Sequence, residues 1–106
     1  MKRKTARETD FQADLKKEIA SRFPGSTIMK TDPNQIQGIP DLLVLYKDRW
    51  ALLECKRNEN AAHQQNQDWY VDYYNQQSFA AVIYPENKDI VLGEMEKALK
   101  GGRQNG

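Results

Sequence analysis

The chain has 106 residues, with 16 Lys+Arg against 15 Asp+Glu and a formal net charge of +1. That length makes a single domain, and that balance excludes a polycationic nucleic-acid binder while leaving room for a locally basic surface. Cys55 is the one cysteine, which excludes an intrachain disulfide framework and fits a reducing compartment.

No repeat or low-complexity block interrupts the chain. The N-terminus is basic (Lys2, Arg3, Lys4, Arg7), but no apolar stretch follows it, so it does not read as a secretory signal. Apolar runs such as residues 42–46 fall far short of a membrane span. The expectation is a cytoplasmic protein with no membrane partner. One domain covers 1–106, with an ordered core of about 7–99 and flexible ends at 1–6 and 101–106.

Residues 6–23 read as a helix, because Phe11, Leu15 and Ile19 recur at helical spacing and Thr5 with Glu8 forms an S/T-x-x-E capping pattern. Pro24 and Gly25 stop it. A short strand is expected at 26–30 around Ile28, then a loop at 31–39 rich in Asp, Pro, Asn, Gln and Gly. Residues 42–46 form an apolar strand, Lys47 to Arg49 turn the chain, and 50–56 return as an antiparallel partner. A polar loop at 57–62 leads into a helix at 62–76 that carries Trp69, Tyr70, Tyr73 and Tyr74 on one side. That aromatic side reads as core or as a surface between copies, with base stacking as the alternative. Residues 79–84 form a strand, and Asn87 caps a last helix to about Lys100 through Ile90, Val91, Met95, Ala98 and Leu99. The order is α-β-β-β-α-β-α, an α/β chain of the mixed α+β kind. Its small mixed sheet needs helices on both faces to hide apolar strands.

Four charged positions stand where a core is expected. In an extended strand alternate side chains share a face, so Leu52, Glu54 and Lys56 lie together while Leu53 and Cys55 lie opposite. Asp41 opens the preceding strand directly after Pro40, and in a tight hairpin it falls level with residues 54–56. Two carboxylates and an ammonium thus meet at one end of the sheet. The plain reading is a salt bridge at a strand end. The functional one is a site for a hard divalent cation beside a lysine. Glu8 points along the packing stripe of the first helix, so it serves either as the capping glutamate facing Thr5 or as a third carboxylate of the site.

Gly38-Ile39-Pro40-Asp41, then twelve residues, then Glu54-Cys55-Lys56, resembles the PD-(D/E)XK nuclease signature. Within that superfamily the chain is most similar to the small stand-alone VRR-Nuc and Holliday-junction-resolvase-like endonucleases of bacteriophages. The resemblance spans about Arg7 to Leu99 and implies a restriction-endonuclease-like α-β-β-β-α-β core. It implies Mg²⁺ or Mn²⁺ held by Asp41, Glu54, the backbone carbonyl of Cys55 and, directly or through water, Glu8. Lys56 would position the attacking water, and Gln67, or Gln64 one turn earlier, would be the glutamine that reaches back to the site. Cys55 itself reads as packing. Lys30, Arg57, His63 and Gln64 are candidate DNA contacts.

The implied activity is Mg²⁺-dependent hydrolysis of DNA phosphodiester bonds, leaving 5′-phosphate and 3′-hydroxyl ends. The implied partner is branched DNA such as Holliday junctions, cut by a homodimer. The alternatives are a restriction-type or end-processing nuclease, or a non-catalytic DNA-binding module that keeps the fold. No phosphate-binding loop, zinc-type Cys/His spacing or nucleophile elbow is present in the sequence.

Overall fold

Leu15, Ile19 and Phe23 recur every four residues, and each is fully buried along or just past the helix α1 (Ala6–Arg22). Burying each is worth about 1.5–3 kcal/mol, while Asp10, Asp14 and Lys17 stay exposed on the outer side. The computed structural model of the chain describes residues 6–63 and 65–101. Thr5, with the expected capping box, and Gln64 lie outside the described residues, as do most of the expected flexible ends.

After α1 come the strands β1 (Thr27–Lys30), β2 (Leu42–Tyr46) and β3 (Arg49–Cys55), the helix α2 (Gln65–Asn75), the strand β4 (Phe79–Ile83) and the helix α3 (Lys88–Glu96). The backbone then widens into a π turn over Lys97–Gly101. The four strands lie in the order β1-β2-β3-β4. The first three pair antiparallel, and β4 runs parallel to β3, with α2 as the crossover. The expected small mixed sheet flanked by helices is thus the observed architecture.

Register decides which side chains share a face. Leu42 pairs with Leu53 and Val44 with Ala51, and these join Cys55 and Ile83 in one core with α1 and with Val91, Leu92 and Met95 of α3. On the other face Leu52 pairs with Ala80 and Glu54 with Val82. There α2 covers the sheet, with Ser78 just beyond it donating to the Trp50 carbonyl at 2.6 Å. The two-residue turn between β2 and β3 holds Lys47 at φ 56, a left-handed conformation that a lysine tolerates at some cost.

Some boundaries and one cap differ from expectation. Lys56 lies just past β3, although its N–H still donates to the Ile83 carbonyl at 2.9 Å. The second helix begins at Gln65, not 62, because Asn58 first folds the chain into a side-chain turn by accepting the Asn60 N–H at 2.8 Å. Asn87 stands at the start of α3 but does not cap it with its side chain. Its Oδ1 accepts the Tyr84 N–H at 2.8 Å and its Nδ2 donates to the Val82 carbonyl at 3.1 Å, so it braces the exit of β4 instead.

Candidate active site

The approach to Asp41 is built by backbone bonds. Thr31 donates its N–H to the Asp41 carbonyl at 2.9 Å and its hydroxyl to the Pro40 carbonyl at 2.6 Å, which ties the exit of β1 to the start of β2. Pro40 has no N–H with which to extend the ladder. The Cys55 N–H goes to a side chain at that point: Asp41 Oδ2 accepts it at 2.9 Å. Because β2 and β3 pair Leu42 with Leu53, Asp41 falls opposite Glu54, and its short side chain reaches the next N–H along. In an extended strand the N–H and C=O of one residue lie on the same edge. The Cys55 carbonyl therefore faces the Asp41 side, while its side chain is fully buried in the core.

Glu54 and Lys56 stand on the opposite face of β3 from Cys55. Glu54 is 0% exposed and Lys56 8% exposed. Lys56 Nζ lies 3.3 Å from Glu54 Oε2 and donates to Gln67 Oε1 at 3.0 Å. An ammonium has three donors, and the bond to Gln67 uses one of them. The amine is held between a carboxylate from its own strand and an amide from α2. Breaking such a buried pair from one side costs about 3–5 kcal/mol, because the remaining charge is stranded.

Asp41, Glu54, the Cys55 backbone, Lys56 and Gln67 thus come together as the sequence suggests, and Gln67 is the glutamine that reaches Lys56. Glu8 is half-buried on α1. Among the described residues no group of three or more His, Cys, Asp or Glu is placed to hold a metal ion. α1 packs on the Leu53 and Cys55 face, and Glu54 shares the face of Lys56, which α2 reaches through Gln67. Asp41, Glu54 and the Cys55 carbonyl offer hard oxygen donors at this end of the sheet. That set suits a hydrated Mg²⁺, which takes one or two protein carboxylates and keeps several waters.

Of the expected DNA contacts, Lys30, Arg57 and His63 are among the described residues. Lys30 is exposed and pairs with Leu42 at the same end of the sheet. Arg57 is exposed beside a shallow cleft of about 480 Å³ shared with Asn58, Asn60, Pro85 and Glu86. His63 Nδ1 lies 3.0 Å from Asp68 Oδ1, an exposed pair at the first turn of α2. The aromatic side of α2 is not core: Trp69 is 57% exposed and Tyr73 45% exposed.

One polar residue was missed by the sequence reading. Gln12 is 4% exposed, and its Nε2 has no hydrogen-bond partner among the described residues. The available signal was spacing, since Glu8, Gln12, Leu15 and Ile19 follow one another on the packing stripe of α1.

No family model matches the chain, and no curated protein matches it. A solved structure described as "VRR_NUC domain" aligns with a TM-score of 0.68 at 21% identity, covering 84% of this chain and 97% of that one. The fold is that of a VRR_NUC domain. The likeness carries the arrangement of helices and strands, and the chemistry is argued from the side chains. No described helix is long and apolar enough to cross a membrane.

Proposed function

We propose that this protein is a metal-dependent DNA endonuclease of the PD-(D/E)XK type. The observation that carries the reading is the hydrogen bond from the Cys55 N–H to Asp41 Oδ2, which locks the aspartate of one strand against the E-x-K segment of the next. The VRR_NUC fold supports it independently. Asp41, Glu54 and the Cys55 carbonyl would hold Mg²⁺ or Mn²⁺, with Glu8 acting through water. A cation held there would supply Lewis acidity at the scissile phosphate and lower the pKa of a nearby water.

The chain's own residues do the rest. Gln67 and Glu54 fix Lys56 Nζ in one place. An N–H not taken by Gln67 can orient the attacking water or meet the negative charge that develops on the phosphorane oxygens. Burial of Glu54 and Lys56 strengthens that interaction by excluding solvent. Lys30 and Arg57 flank the centre and would hold the neighbouring phosphates. Branched DNA is the proposed substrate, cut by a homodimer whose two sites nick opposing strands of a four-way junction.

The purified protein is expected to cut labelled four-way junctions with Mg²⁺, and to cut linear duplex, flap and single-stranded substrates more slowly. Asp41→Asn and Lys56→Met, each checked by circular dichroism to be folded, should lower kcat by about 100-fold or more. A folded Asp41→Asn protein that cuts at the wild-type rate contradicts the reading. A preference for duplex or flap over junctions keeps the chemistry and replaces the substrate with a restriction-type or end-processing one.

A further inference from the structure

Beside the metal-binding end of the sheet lies an open cleft of about 590 Å³, lined by Gln35, Ile36, Gln37, Asn66, Trp69 and Tyr70. Its walls are the loop that precedes Asp41 and the first turns of α2. Gly38 lets these walls approach: its φ is +92, and a Cβ there would stand 2.6 Å from the Asn66 Cβ. Both walls lead directly to the site. Asn66 precedes Gln67, which holds Lys56, and Gly38 lies three residues before Asp41.

The aromatic part of the cleft is prearranged. The Trp69 and Tyr73 rings stack at 4.9 Å with their planes 12° apart, and Tyr70 meets Trp69 edge-on at 4.9 Å. A helix that buried this side against its own domain would not leave Trp69 more than half exposed. The remainder of the lining is chemically selective. Gln35, Gln37 and Asn66 each offer an amide donor and an amide acceptor, and among the described residues no charged side chain lines the cleft. A phosphate group would find no cation there. An apolar helix would cover three amides without pairing them. A nucleobase matches both halves, with a π face for the indole and donor and acceptor edges for the amides. In an intact duplex base faces are stacked on one another, so the base concerned is an unpaired one.

We infer that this cleft binds an unpaired nucleobase of the DNA strand whose phosphodiester lies at Asp41, Glu54 and Lys56. The inference takes its DNA from the nuclease reading. It gives a physical reason for binding DNA with an unpaired base, such as a flap or a base opened at a branch point, over continuous duplex.

The test is DNA binding in EDTA, where no cleavage occurs, read by the anisotropy of a labelled oligothymidine and of a labelled duplex of equal length. Trp69→Ala should weaken binding of the single strand roughly tenfold and leave duplex binding unchanged, while Trp69→Phe stays within about threefold of wild type. Failure of the wild type to retain single strands overturns the inference, as does Trp69→Ala binding like wild type. An equal loss on both DNAs overturns it in favour of a general backbone contact. Sedimentation of Trp69→Ala as a smaller species than wild type overturns it in favour of a contact between copies. Cleavage in Mg²⁺ separates the two claims. A protein that cuts DNA but binds independently of Trp69 loses the pocket and keeps the nuclease. One that binds through Trp69 and never cuts loses the nuclease and keeps the pocket.

Discussion

Two buried polar residues on different elements behave in opposite ways. Lys56 has a carboxylate and an amide to hold its charge, so its burial is supported and its position is determined. Gln12 is buried with its Nε2 unpartnered among the described residues. An unmet buried donor costs about 1–3 kcal/mol. Gln12→Leu is therefore expected to raise the unfolding midpoint in urea, with stability gained on the order of 1 kcal/mol; an unchanged or lower midpoint would show that the amide has a partner in solution. At this scale the strand residues were legible, because alternation alone puts Glu54 and Lys56 on one face and Cys55 on the other. The bond from Asp41 to the Cys55 N–H was only approximately legible, since hairpin register gives the level of a residue but not which N–H its side chain takes. Gln12 was not legible as a separate feature, since a glutamine on a helix is ordinary until its surroundings are known.

At the scale of elements, α1 and α3 are tied together by charge as well as by the core. Glu18 accepts from Lys88 at 2.7 Å and from Arg22 at 2.8 Å, and Arg22 also donates to Glu96 at 3.2 Å. Lys88 first, then Arg22, hold the Glu18 carboxyl below its ordinary range, and Glu18 in turn raises the Lys88 ammonium. A carboxyl whose folded pKa lies below its unfolded value adds stability above the unfolded pKa. That stability is lost as pH falls through the folded value. Glu18→Gln should therefore cost roughly 0.5–1 kcal/mol at neutral pH, the range of partly exposed ion pairs. The difference from wild type should shrink toward zero in acid. A cost that is independent of pH would assign the effect to packing. The core-facing stripes of α1 and α3 were legible from periodicity, whereas this cross-tie was not, because pairs such as Glu18 with Lys88 join residues far apart in sequence. The start of α2 and the role of Asn87 were misread for a related reason: asparagine side chains bond to whichever backbone the tertiary structure offers.

For the whole molecule, the sheet's two covered faces explain both the strength and the limit of the site. One face carries the core with α1 and α3, and the other carries Glu54, Lys56 and α2. Asp41 enters at the sheet end, next to Cys55, where the two faces meet. The α-β-β-β-α-β-α order and the mixed sheet were legible because apolar runs, turn residues and helical stripes alternate cleanly along the chain. The face of the sheet that α1 covers was not, since strand alternation does not say which of two faces a given helix takes. The exposure of Trp69 likewise depends on how far α2 reaches across the sheet.

The central claim is that Asp41 and Glu54 share one divalent cation. It is tested most directly by calorimetric titration of Mn²⁺ into the folded wild type and into Asp41→Asn and Glu54→Gln. One site per chain in the wild type, weakened about tenfold or more in each variant, is the expected result. Folded variants that bind the ion as tightly as the wild type would contradict it.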